Sequence, residues 1–175
     1  TCLDTKRKDI SLDQIHRPYV IILNERAKEN AAFPQKEVTM AISHIDHIGI
    51  AVSSLEKVKP FYEEGLGIRV EEVEELPQKH LKVAFIPVGD TRIELLEPTS
   101  EASTVHQFIQ KRGEGIHHIA FHVDDIEASI AQLKEMGYRL LSEVPEEGAG
   151  GTKIVFLHPK SGFGVLIELV EGEGH

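Results

Sequence analysis

HIDHIGIAVSSLEKVKPFYEEGLGIRV, residues 44–70, is answered later in the chain by GIHHIAFHVDDIEASIAQLKEMGYRL, residues 115–140. His47 aligns with His118, Val52 with Val123, Leu55 with Ile126, Glu56 with Glu127, and Gly67 with Gly137 after a one-residue gap. The sequel repeats more loosely: VAFIPVGDTRIELLEP (83–98) corresponds to IVFLHPKSGFGVLIELV (154–170), with Phe85 on Phe156 and Glu94 on Glu168. In each unit the opening run alternates with strand periodicity, Ile48, Ile50 and Val52 on one face and His47, Gly49 and Ala51 on the other. Ser53 and Ser54 are placed to cap a helix to about Glu64, with Leu55, Val58, Phe61 and Tyr62 as its apolar stripe and glycines at its end. Strands follow near 68–75, 81–88 and 91–97, the last two joined by Gly89-Asp90, a hairpin signature. The second unit reads as a strand at 117–123, an Asp124-capped helix at 125–136, and strands near 138–144, 153–158 and 164–170. Thr104–Lys111 reads as a connecting helix ended by Gly113. The expected fold is α+β: two βαβββ modules, about 44–99 and 115–171, whose curled mixed sheets enclose a cleft.

Bulk properties narrow the function. Hydrophobic content of 41% suits a globular protein, and no run approaches the about 20 apolar residues of a membrane span. A net charge of −10 argues against nucleic acid and anionic membrane as partners, while leaving room for a polyanionic small molecule at a local cationic patch. The one cysteine, Cys2, lies outside both repeats, which excludes a disulfide framework there and makes a reducing, cytoplasmic setting the expectation. Residues 1–39 share nothing with the repeats. They are expected to be an extension without function, disordered or foreign to the fold, and their acids (Asp4, Asp9, Asp13, Glu25, Glu29, Glu37) speak against a mitochondrial transit peptide. Residues 40–175 form one domain.

Each module thus opens on a histidine and closes on a glutamate. Small residues share the face of each histidine (Gly49 and Ala51 beside His47, Ala120 beside His118), which leaves room for an ion and a ligand. Glu94 in RIELLEP and Glu168 in LIELVE are flanked by apolar residues on strands, where an ionised carboxylate is costly unless paired or metal-bound. The constellation His47, Glu94, His118 and Glu168 therefore predicts a divalent first-row metal site with open positions for water or substrate. By strand parity His44 and His117 should face away from the ion, and His122 is a supporting or filling residue. His158-Pro159-Lys160-Ser161-Gly162 is equally readable as a plain turn and as a loop in which Lys160, Ser161 and Gly162 hold a carboxylate or phosphate. Gly148–Gly151 is a flexible stretch able to close over a substrate.

From Ile42 to Val170 the chain resembles the vicinal-oxygen-chelate superfamily, and within it the methylmalonyl-CoA epimerase family. The stretches that carry the likeness are HIDHIGIAVSSLEKVKPFYEEGLG, TRIELLEP, GIHHIAFHVDDIEASIAQLKEMG and above all FLHPKSGFGVLIEL. The resemblance implies metal ligands at His47, Glu94, His118 and Glu168, one divalent ion per chain (Co²⁺ favoured, with Mn²⁺, Ni²⁺, Fe²⁺ or Zn²⁺ as alternatives), a homodimer, and methylmalonyl-CoA as substrate. It implies proton removal and return at C2, with Glu168 as the base. Certain members place a second glutamate where this chain has Val83, so the opposite-face partner is left open. Two other readings share the scaffold: a glyoxalase I-type lyase, which uses a similar ligand set, and a metal-free binding protein, which would lack the ligands. An extradiol dioxygenase would use two histidines and one carboxylate, which Glu94 exceeds.

Overall fold

The computed structural model describes residues 40–172. The extension assigned to residues 1–39 lies outside them. The first module runs β1 (Ile42–Ala51), α1 (Leu55–Pro60), β2 (Glu72–Leu76), β3 (Leu81–Val88) and β4 (Thr91–Pro98). A connecting helix α2 (Thr104–Arg112) leads to β5 (Gly115–Val123), α3 (Ile126–Glu135), β6 (Glu146–Glu147), β7 (Lys153–Leu157) and β8 (Ile167–Glu171). All eight strands form one sheet in the order β2-β3-β4-β1-β5-β8-β7-β6. Its two halves mirror each other: β1 pairs parallel to β4, β5 pairs parallel to β8, and β1 and β5 meet antiparallel at the seam. This is the α+β pair of modules expected from the repeat.

The amphipathic helices explain which face is which. α1 sets Leu55 and Val58, with Tyr62 beyond it, on Ala84, Ile86 and Leu95 of β3 and β4. α3 sets Ile126, Ile130 and Leu133 on Val155, Leu157 and Leu169. The opposite strand parity (Leu81, Val83 and Phe85 of β3, Leu96 of β4) points into the cleft and is closed from one end by Val105 of α2. Caps behave as the sequence indicates: Ser54 accepts from the amide of Lys57 and Gly113, at φ 80°, ends α2. The α3 cap is Asp125, one residue beyond the expected Asp124. No helix among the described residues is long and apolar enough to cross a membrane.

Two local expectations fail for identifiable reasons. The first helix does not run regularly to Glu64: after Pro60 it widens into a π-turn over Phe61–Gly65, with the Leu66 amide donating to the Phe61 carbonyl at 3.0 Å. Proline has no N–H to donate and crowds the preceding turn, so the ladder is re-spaced there. The strand expected at 138–144 is reduced to one bridge, Leu140 to Leu157, and the pairing resumes only in the two residues of β6.

Candidate metal centre

The two modules deliver equivalent residues to equivalent places at the seam. Gly49 pairs with Glu94 across β1–β4 and with His118 across β1–β5, while Ala120 pairs with both His47 and Glu168. On the outer strands Phe85 opposes Glu94 and Phe156 opposes Glu168, so each carboxylate has the same aromatic neighbour. His47, Glu94, His118 and Glu168 are all buried. Three of them converge: Nε2 of His47 and Nε2 of His118 are 2.9 Å apart, and Oε2 of Glu168 lies 2.8 Å from His118 Nε2 and 3.5 Å from His47 Nε2.

The fourth expected ligand sits beside this group. Glu94 Oε1 lies 3.5 Å from the other nitrogen of His47, Nδ1, and accepts a hydrogen bond from Arg92 Nε at 3.2 Å. Arg92 also reaches Asp46, its Nη2 donating to Oδ1 at 2.8 Å, and the same oxygen is 2.7 Å from His47 Nδ1. Asp46 therefore holds the proton of His47 on Nδ1 and leaves Nε2 as an electron-pair donor directed at His118 and Glu168. Strand alternation alone would place Asp46 and His47 on opposite faces. The β1–β5 register slips between Ile45 and His47, giving β1 one extra residue, and this bulge turns Asp46 onto the side of its neighbour. A second slip between Gly49 and Ile50 gives β5 its extra residue at His117. His117 consequently lines the cleft, with Nδ1 2.9 Å from Nδ1 of His118, instead of facing away as parity predicts.

Above these residues opens a cavity of about 450 Å³ bounded by both modules, with Val83, Leu96, Leu141 and Phe156 among its apolar walls. The Gly148–Gly151 segment arches over one end. Ala149 packs against the first module's cleft cluster, and the Gly150 amide donates to Glu74 Oε2 at 3.0 Å. The loop containing Lys160, Ser161 and Gly162 stays away from the cavity walls. The Ser161 hydroxyl accepts from the Arg139 amide at 2.9 Å and donates to the Arg139 carbonyl at 3.2 Å, the behaviour of a turn residue, and Lys160 projects into solvent.

The electrostatics fit a cation between the three converging donors. Burial opposes charge on His47, but the hydrogen bonds it donates to Asp46 and Glu168 and the fields of Glu94 and Glu168 outweigh it and push the imidazole up to about 10. Burial likewise disfavours the Glu168 carboxylate, yet the charge and hydrogen bond of His118, with His47 behind it, hold it well below the usual range. Without an ion, a proton must occupy this nest of electron pairs. Two neutral imidazoles and a carboxylate are the donor set of a first-row divalent ion, and Glu94 stands next to them as a further oxygen donor. The residues fit the metal.

Two expected results follow from this geometry. In chelator-treated protein the raised His47 stabilises the fold fully below its ordinary 6.5, and that stability is lost as pH rises through about 10. Calorimetry in EDTA should show the melting temperature falling between pH 7 and 10, a dependence that metal loading removes because the ion replaces the proton. A melting temperature that rises over that window would contradict the assignment. Asp46→Asn keeps the shape of the support but weakens its hold on the His47 proton. Metal affinity should drop about 10- to 100-fold, as measured by competition with a chromophoric chelator.

A paired βαβββ sheet closing on histidines and carboxylates defines a class of protein that the comparisons name. Residues 46–156 match the model of the glyoxalase/bleomycin resistance protein/dioxygenase superfamily. The mitochondrial methylmalonyl-CoA epimerase of Homo sapiens is 41% identical over 140 residues, covering 78% of this chain and 80% of that one. The ethylmalonyl-CoA/methylmalonyl-CoA epimerase of Cereibacter sphaeroides is 42% identical over 130 residues, 73% of this chain and 97% of the other. A solved methylmalonyl-CoA epimerase in complex with methylmalonyl-CoA and NH4+ superposes with a TM-score of 0.71 at 38% identity, over 75% of this chain and 96% of that one. The chain belongs to this superfamily and, within it, to the methylmalonyl-CoA epimerase family.

Proposed function

We propose that this protein interconverts (R)- and (S)-methylmalonyl-CoA by metal-assisted proton transfer at C2. The observation that carries the reading is the convergence of His47, His118 and Glu168 at the floor of a cleft, in a chain similar to epimerases along most of its length. One divalent ion held by His47, His118 and Glu168, with Glu94 alongside, would supply Lewis acidity for the negative charge that develops on the thioester oxygen. Glu168 is the base on one face: Oε2 is engaged by the histidines, and its carboxylate takes the proton from C2 of one epimer and delivers one to that same face when the reaction runs in reverse. Val83, Leu96 and Phe156 keep the surroundings apolar, which strengthens every charge interaction inside and limits water access. Val83 offers no acid on the wall where some relatives have one, so the return of a proton to the opposite face falls to a group brought by water. His117 is suited to orient that water: burial first, and the charge of His118 second, push its imidazole down to about 4, which keeps it neutral near pH 7. Lys160, exposed on its loop outside the cavity, is the cation we assign to the phosphates of the CoA moiety.

The domain is proposed to comprise residues 40–175 and to act as a homodimer in a cytoplasmic setting. The test is exchange at C2. Metal-loaded protein is incubated with (R)-methylmalonyl-CoA in D₂O, and deuterium incorporation and the S form are both followed, with an EDTA-treated control. Exchange with inversion that disappears in EDTA is expected. No exchange with any of Co²⁺, Mn²⁺, Ni²⁺, Fe²⁺ or Zn²⁺ would sink the proposal.

A further inference from the structure

Outside the cleft, a second set of donors converges around the far oxygen of Asp46. Ring nitrogens of His44 and His122 and a carboxylate oxygen of Asp46 all lie within 4.8 Å of one another. The two imidazoles stack with centroids 5.0 Å apart and planes 15° from parallel. Asp46 Oδ2 faces His122 Nδ1 at 3.9 Å, while Oδ1 is occupied by His47 and Arg92. The cluster exists because of the bulges: β1 carries extra residues between Ile42 and Ile45 and between Ile45 and His47, which bring His44 and Asp46 to the same side opposite His122.

We propose that His44, Asp46 and His122 form an auxiliary divalent-cation site, separate from the cleft, of the kind that takes Zn²⁺ with water completing the shell. Two neutral imidazoles and one carboxylate are the donors this ion prefers. The 3.9 Å separation is too long for a hydrogen bond, whereas neighbouring ligands on a tetrahedral ion stand about 3.3 Å apart, a contraction of about 0.6 Å. The donors are also oriented. The Ser43 hydroxyl is 2.8 Å from His44 Nδ1, which leaves Nε2 for an ion, and Asp46 is buried in a fixed position by Arg92 and His47. The positive charge of Arg92 opposes a cation here, and Glu94 on the same guanidinium offsets it. His44 is exposed, so ions have an entry path. An ion on Oδ2 would share a carboxylate with His47, so occupancy of this site and of the cleft would be linked through one side chain.

The test is metal stoichiometry, which does not depend on the reaction the cleft performs. The full chain, His44→Asn, His122→Asn and a His106→Asn surface control are dialysed against micromolar Zn²⁺ and bound metal is measured by mass spectrometry. His44→Asn and His122→Asn should each bind one ion fewer than wild type and lose the same one, so that combining them removes no second ion. His106→Asn should match wild type, and adding His118→Asn to the pair should remove a further ion. Equal metal content in wild type and both single variants would overturn the proposal: the stacked histidines would then be a metal-free polar cover over Asp46. His44→Asn, at an exposed position, keeps the test independent of folding.

Discussion

Glu168→Gln is expected to abolish epimerisation while leaving a folded protein. The carboxylate is placed in two roles, and the amide can fill neither: it carries no charge for the ion and cannot accept the C2 proton. Loss of the proton-transfer role alone lowers kcat by about 100- to 10,000-fold, and a weaker hold on the metal multiplies that. The buried histidines lose their counter-charge, so stability should fall too, by about 3–5 kcal/mol in the absence of metal. Turnover is therefore best read as C2 deuterium exchange per folded molecule, with metal content measured on the same sample. Glu168→Asp, which keeps the charge but withdraws it by one methylene, should retain metal better than the glutamine variant and recover little exchange. Full activity of Glu168→Gln would remove both roles at once.

Gly49→Ala should be almost as damaging, though the residue has no chemistry of its own. A Cβ built on Gly49 would stand 2.3 Å from Cε1 of His118, 2.6 Å from Nδ1 and 2.7 Å from Nε2. The ring cannot swing aside freely, because His117, Glu168 and Phe156 contact it. Overpacking of this kind costs about 1–3 kcal/mol in stability, and a ligand displaced by about 1 Å costs about 100-fold in turnover. The comparison is Gly65→Ala, where a Cβ meets only Phe61 Cδ2 at 3.6 Å, an ordinary contact. Gly65→Ala should leave metal binding and exchange unchanged. If Gly49→Ala also binds metal with wild-type affinity, the His118 ring has freedom that the packing denies it.

The internal repeat is what made so much legible. Alternation in HIGIAV and the 3.6-residue stripe after Ser54 determined a strand and a helix, and their recurrence at HIAFHV and after Asp124 determined that the fold is a pair of modules. The same alignment identified His47, Glu94, His118 and Glu168 as a set, because a buried carboxylate between apolar neighbours needs a partner wherever the chain goes. Parity also placed small residues beside the histidines, and the fit of the His118 ring over Gly49 is the physical form of that observation. Each of these is a local property: a period, a cap, or the cost of an unpaired charge.

What the tertiary structure decided are the things set by register. Whether Asp46 supports His47 or faces the opposite side depends on one extra residue in β1, and whether His117 enters the cleft depends on one extra residue in β5. A bulge is a property of two strands together, stabilised by the pairing on both sides, and nothing in HIDHIG or GIHHIA announces it. Arg92 illustrates the same limit. It reads as an ordinary strand cation, yet it joins Asp46 to Glu94 and so turns Glu94 toward the Nδ1 side of His47. The HPKSG loop shows the converse, since its residues suit a phosphate and a turn equally, and only the Arg139 backbone across from Ser161 reveals which hydrogen bonds that hydroxyl makes. Sequence alone determined the modules and singled out four candidate site residues, of which His47, His118 and Glu168 converge, because periodicity and burial cost act along the chain. The orientation of those residues, and the second cluster around Asp46, were decided only where strands from both modules met.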